Sequence, residues 1–118
     1  MSVIEQYARA HIVTEVLEED RGAVSVVLRY DPEQDPRLVR VGTPGAGARE
    51  WAVERELLER GLRTPAGSGE VRVWPCGRVQ VVVEFHSAQG VSMVQFETKT
   101  LARFLRRTHV AAAEPVPH

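Results

Sequence analysis

A glycine-rich segment, residues 42–48, has the composition of loops that bind nucleotide phosphates. Gly42 and Gly47 have the spacing of the two glycines that frame such a loop. However, Ala48 and Arg49 stand where a phosphate-binding lysine and a magnesium-binding hydroxyl residue are required. The sequence therefore predicts a flexible connector here and no nucleotide hydrolysis. A strand before this loop and a helix after it would still allow a weak anion site at the helix start.

Cys76 and His86 are the residue types of a nucleophile and its general base. In the predicted hairpin, His86 lies on the order of 25 Å from Cys76, at about 3.3 Å per strand residue. A nucleophile and its base must approach to about 3 Å, so the pair is not catalytic. Cys76 is predicted to be an ordinary turn residue. Because it is the only cysteine, an intramolecular disulfide and a multi-cysteine metal site are both excluded.

The remaining ionisable side chains form no pattern typical of a reactive centre. No two histidines have the spacing of a zinc motif, and a lone strand histidine is usually solvated. The carboxylates of residues 18–20 fall in a predicted turn, where water solvates them. We therefore predict that the protein is not an enzyme and has no catalytic residue, cofactor or metal ion. The histidines are His11, His86, His109 and His118.

Four basic side chains lie on the last predicted helix, with no acidic residue among them. A solvated helix face is the simplest interpretation. Two functional interpretations remain open: a surface for single-stranded nucleic acid, with strand aromatics for stacking, or a contact with an acidic protein surface. The low aromatic content of 6% weighs against the first. The four residues are Lys99, Arg103, Arg106 and Arg107.

Hydrophobic periodicity predicts three strands followed by a helix, twice. We predict an α+β fold in which antiparallel hairpins form a curved sheet or open barrel and one helix closes each half. With 118 residues, 43% of them hydrophobic, we expect one domain at residues 1–110 and a disordered tail at 111–118. The predicted strands are 8–17, 23–30, 38–41, 70–74, 79–86 and 91–97, and the helices run from about 50 to 61 and from Thr98 or Thr100 onwards.

The composition gives no indication that the protein spans a membrane or is attracted to a polyanion. The formal net charge is only −1. No apolar stretch approaches the roughly 20 residues that span a bilayer. Residues 1–9 lack the basic start and apolar run of a signal peptide. We therefore predict a soluble, cytoplasmic protein.

Four segments together resemble a known family. The most specific is residues 63–75, Arg-Thr-Pro-Ala-Gly-Ser-Gly-Glu-Val-Arg-Val-Trp-Pro. The others are residues 28–31 (Leu-Arg-Tyr-Asp), 50–62 and 101–108, and the set covers roughly residues 10–109. On these residues the chain resembles the SsgA-like family of actinomycete sporulation and cell-division regulators. It differs from the better-known members in a shorter turn at residues 76–78 and an earlier end after the last helix.

The resemblance implies a fold similar to the plant Whirly proteins and the mitochondrial guide-RNA-binding proteins, assembled as a bell-shaped trimer. It also implies control of septum formation by protein binding at the septum, since one family member recruits the tubulin-like division protein FtsZ. The expected partners are therefore FtsZ or other SsgA-like proteins, with single-stranded nucleic acid as the alternative. Trp51 and Trp74 are large anchors of the type enriched at binding hot spots, although we expect the core to bury at least one.

Overall fold

The computed structural model describes residues 3–14, 19–43, 49–88 and 90–113. They form two successive halves, each of four strands and one helix. The first half contains β1 (Ile4–Thr14), β2 (Glu19–Tyr30), β3 (Leu38–Gly42), β4 (Glu50–Glu54) and α1 (Arg55–Gly61). The second half contains β5 (Ala66–Ser68), β6 (Val71–Cys76), β7 (Gln80–Ser87), β8 (Gly90–Glu97) and α2 (Thr98–Ala113).

The eight strands form one sheet in the order β4-β3-β2-β1-β8-β7-β6-β5, with every neighbouring pair antiparallel. The halves meet at its centre, where β1 pairs with β8. β4 and β5 are thus opposite edges, yet α1 joins them in sequence and contacts β4, β5 and β6. The sheet therefore curls until its edges approach, and Ser68 Oγ on β5 donates a 3.2 Å hydrogen bond to Glu54 Oε1 on β4.

The core fills the concave side of this curled sheet. Along β2, Val26, Leu28 and Tyr30 are buried while Ser25 and Arg29 are exposed, as a half-buried strand requires. The inward-facing strand residues form one cluster with the buried faces of both helices. The helices therefore cover the inner face, and the curved antiparallel sheet with two helices is confirmed.

The first helix begins later than predicted. Residues 50–54, expected in its first turns, instead form β4, which pairs with β3 from Leu38 opposite Glu54 to Gly42 opposite Glu50. The spacing of Trp51 and Val53 fits a strand as well as a helix. Hydrogen bonding to β3 decides in favour of the strand. The side chains of β4 accordingly alternate between exposed and less exposed positions.

β5 lies where a loop was predicted, at residues 65–69. Ala66–Ser68 pair with β6 across a two-residue turn, with Ser68 opposite Val71. Gly69 occupies the first turn position at φ +59°, a left-handed conformation that glycine adopts without strain. β4 and β5 are the additional strands that give each half four strands instead of three.

Further boundaries differ from the prediction. β1 begins at Ile4, four residues before the predicted start, and β6 continues to Cys76, which was predicted to be a turn residue. Glu19 to Gly22, expected in a turn, begin β2, whereas residues 15–18 lie outside the described residues. α2 continues to Ala113, because Ala111 is only 7% exposed and packs in the core. The tail expected at residues 111–118 is therefore helical up to Ala113, and residues 114–118 lie outside the described residues.

Candidate functional site

Cys76 and His86 do not form a reactive pair. Cys76 is half-buried at the end of β6, opposite Gln80. His86 lies six residues beyond Gln80 on β7, about 20 Å away at about 3.3 Å per residue. Across the described ranges, no three His, Cys, Asp or Glu side chains lie close enough to hold a metal ion.

The glycine-rich segment joins two antiparallel strands. Its ends are tied together, because the Thr43 N–H donates to the Arg49 carbonyl at 2.8 Å and the Arg49 N–H donates to Thr43 Oγ1 at 2.8 Å. β4 follows this segment, and α1 begins only at Arg55. The expectation of a weak anion site at a helix start is therefore wrong, since a strand and not a helix follows the loop. Residues 44–48 themselves lie outside the described residues.

The basic side chains of α2 share its solvent face. At about 100° per residue they fall within an arc of about 100°, and all four are exposed. Arg107 Nη1 donates a 3.0 Å hydrogen bond to Gln6 Oε1 on β1. Within the described part of the chain, the charged ends of Lys99, Arg103 and Arg106 make no hydrogen bond or ion pair. The structure thus presents three unpaired cations on one helix face.

Trp51 packs inside the curled sheet. Its ring stacks on Phe85 of β7, with centroids 5.1 Å apart and planes inclined by 10°. The Arg49 guanidinium carbon lies 6.0 Å from the Trp51 ring centroid, and Arg49 Nη1 donates to Ser92 Oγ at 3.2 Å. Trp51 therefore makes its aromatic contact with the protein's own core.

Trp74 lies on the opposite, outer face of the sheet. Its Nε1 donates to Glu84 Oε2, and Glu84 Oε1 lies 3.1 Å from His86 Nε2. The strand register places Trp74 beside Val82, which is only 4% exposed although it faces outwards. We call Trp74, Glu84 and His86 the outer-face cluster.

Sequence reasoning named Trp74 but missed Glu84 and His86 as its partners. The feature that decides which residues are neighbours of Trp74 is the length of the turn between β6 and β7. A turn of residues 77–78 would place Cys76 opposite Val79, whereas the observed turn of three residues places it opposite Gln80. A one-residue change of register reverses which side chains are neighbours, so the cluster follows only from the longer turn.

No second layer from the described residues covers the outer face of the sheet. Both helices pack on its inner side. Tyr7 on the central strand β1 faces outwards and is 77% exposed, and Trp74 and Met93 are half-buried on the same face. Exposed aromatic side chains of this kind are enriched where proteins contact partners.

Neither described helix is both long enough and apolar enough to cross a membrane.

Comparison with known proteins identifies the family. The family model described as "Streptomyces sporulation and cell division protein, SsgA" matches residues 24–115. The sporulation-specific cell division protein SsgB of Salinispora tropica is 41% identical over 97 residues, which are 76% of this chain and 67% of that protein. SsgB of Streptomyces coelicolor is 35% identical over 114 residues, which are 92% of this chain and 82% of that protein.

Solved structures agree with this relationship. One comes from a study in which mutations in SsgB correlate to longitudinal cell division during sporulation of Streptomyces coelicolor; it is 30% identical, with a TM-score of 0.78 over 93% of this chain and 88% of that chain. The SsgA-like sporulation-specific cell division protein of Thermobifida fusca is 27% identical, with a TM-score of 0.75 over 95% of this chain and 84% of that chain. The chain is therefore a member of the SsgA family of sporulation and cell division proteins.

Proposed function

We propose that this protein is a non-enzymatic regulator of sporulation-specific cell division that acts by binding other division proteins. Its partners in this proposal are FtsZ or other SsgA-like proteins, and it acts in the cytoplasm at the septum. Membership of the SsgA family supports a role in sporulation-specific cell division. The observation that carries the binding mechanism is the uncovered outer face of the sheet, where Tyr7 and Trp74 are accessible.

A homotrimer suits this mode of action. Three copies would present three identical surfaces to a polymeric partner, and linking weak contacts in this way raises avidity by about 10²–10⁴. Light scattering checks the assembly: we expect about three times the monomer mass, and the mass of a monomer would contradict it.

Co-sedimentation with polymerised FtsZ tests the proposed function. We expect the wild-type chain in the pellet and the Trp74→Ser variant at about thirtyfold weaker affinity, as for a hot-spot residue. Val110→Ser is the matched control, because Val110 is 64% exposed on α2, away from the sheet's outer face. If the wild-type chain stays in the supernatant and also fails to bind other SsgA-like proteins, the proposal is wrong.

Binding of single-stranded nucleic acid is the second candidate, and the unpaired cations of α2 favour it. Proteins that neutralise phosphates lose affinity steeply with added salt. Tight, salt-sensitive binding of a labelled oligonucleotide that disappears in the Arg103, Arg106 and Arg107 triple alanine variant would displace protein binding as the primary function.

A further inference from the structure

A groove of about 640 Å³ separates the end of α1 and the turn after it from α2. It is open to solvent, so a ligand can enter. The two helices contact each other only lightly, and the turn of residues 62–65 that leads to β5 forms one wall. The groove lies on the helix side of the curled sheet, and none of the outer-face cluster lines it.

The floor of the groove is apolar. Leu105 of α2 is only 3% exposed and lies at the bottom, and Ala102 lies one turn earlier on the same helix. Leu62 and Ala66 are half-buried on the facing wall, next to the exposed ring of Pro65. A large apolar side chain inserted from solvent would therefore contact hydrocarbon on both sides.

The rim of the groove is cationic. Arg60 and Arg63 line the α1 side and Arg106 lines the α2 side. Among the described residues, no other side chain forms a hydrogen bond or an ion pair with any of these three guanidinium groups. The only carboxylate in the lining, Glu59, is already engaged by His109. Three arginines against one glutamate give the lining a formal charge of +2 with His109 neutral.

We infer that this groove binds a short acidic peptide segment of a partner protein. In the bound state an apolar side chain of the peptide contacts the floor, and its carboxylates pair with the arginines. The inference rests on the proposed function in protein binding and names the chemistry of one partner segment. A planar guanidinium matches a carboxylate in two parallel hydrogen bonds, which favours arginine over lysine at such a rim. A sugar–phosphate backbone would pair with the arginines but leave the apolar floor empty.

Fluorescence anisotropy with a panel of short labelled peptides tests the inference. Each peptide carries leucine or phenylalanine anchors in a background of aspartate and glutamate. Matched peptides replace the anchors by serine or the acidic residues by lysine, and a labelled oligothymidine supplies phosphates without anchors. We expect saturable binding only by peptides that carry both features. Amide chemical shifts measured by NMR should change at Leu62, Ala66 and Leu105.

Charge-reversal variants locate the site. Arg60→Glu and Arg106→Glu lie on opposite sides of the groove, and each should weaken peptide binding about tenfold, because like charges then face each other. Ala102→Phe should block the floor while keeping every charge. Arg9→Glu and Arg78→Glu are the matched controls, since they make the same charge change at exposed arginines outside the groove. We expect the controls to retain wild-type affinity within about twofold.

Three results would overturn the inference: no saturable binding by any acidic peptide, equal weakening by the control variants, or preferential binding of oligothymidine. The FtsZ sedimentation assay separates this inference from the proposed function. If the wild-type chain binds acidic peptides but no division protein, the groove assignment stands and the proposed function is wrong. If it binds a division protein but no acidic peptide, the groove assignment alone is wrong.

Discussion

Gly61, the last residue of α1, lies so close to Val73 of β6 that a Cβ on residue 61 would be 2.1 Å from Val73 Cγ1. Carbon atoms cannot approach this closely, so glycine is required here for space. Its φ is not in the left-handed region. The helix does end at residue 61 as predicted, and the packing of α1 on β6 is the physical reason that this residue is glycine.

The Gly61→Ala substitution should lower the free energy of unfolding by about 1–3 kcal/mol, because the added methyl overpacks the contact between α1 and β6. Urea denaturation measures the change. Gly67→Ala is the matched control, since the nearest atom to its added Cβ is 3.6 Å away. Equal destabilisation by the two variants would contradict the close-packing argument.

Arg55 ties the start of α1 to β2 and α2. Its Nη1 donates to Tyr30 Oη at 3.1 Å and to the Thr108 carbonyl at 3.4 Å, and its guanidinium carbon lies 5.3 Å from the Tyr30 ring centroid. Arg55→Met keeps the aliphatic stem but removes the nitrogen that donates both hydrogen bonds, so we expect a loss of about 1–3 kcal/mol. A double-mutant cycle with Tyr30→Phe should give a coupling energy of about 0.5–3 kcal/mol.

The control for this cycle is Arg63→Met, because Arg63 is exposed and its guanidinium is unpaired within the described residues. It should change the free energy of unfolding by no more than about 0.5 kcal/mol. Additive effects of Arg55→Met and Tyr30→Phe would mean that the observed hydrogen bond contributes nothing to stability.

Glu84 is the acceptor for the Trp74 indole, and its side chain is only 18% exposed. Glu84→Leu leaves the indole N–H without this partner and should cost about 1–2 kcal/mol, whereas Glu84→Gln keeps an acceptor and should cost less. Thermal unfolding measures stability, and the indole resonance in an NMR spectrum reports the hydrogen bond. Glu97→Leu is the control, because Glu97 is exposed at the end of β8. An unchanged indole resonance in Glu84→Leu would argue against the hydrogen bond.

The strongly alternating strands could be predicted from the sequence, and the two additional strands could not. Alternation along residues 24–30 assigns β2 and its buried face correctly. In contrast, Ala66-Gly67-Ser68 has no β-branched or aromatic residue and reads as a loop by composition. It becomes β5 because β6 supplies hydrogen-bonding partners on one side and α1 contacts it. Such long-range pairing leaves no local signal.

The candidate surfaces were predictable as residue types but not as assemblies. Charge and size alone identify Arg106 and Trp74. Their neighbours depend on the tertiary structure: Arg60 and Arg63 lie across the groove from Arg106, and Glu84 accepts a hydrogen bond from Trp74 only in the observed register. A helical wheel of α2 therefore predicts its basic face correctly and gives no indication of the groove beside it.

Trp51 and Trp74 should have separable roles, because the first stacks inside the curled sheet and the second lies on its outer face. Trp51→Leu should lower the free energy of unfolding by about 1–3 kcal/mol and leave sedimentation with FtsZ unchanged under conditions where the variant is folded. A cycle with Phe85→Leu should give a coupling energy of about 0.5–1.5 kcal/mol for the stacked rings. Val79→Ser, at a residue that is 67% exposed, is the control for stability. If Trp51→Leu instead keeps full stability and no longer sediments with FtsZ, Trp51 contacts the partner. The two tryptophans then do not have separate roles in core packing and partner binding.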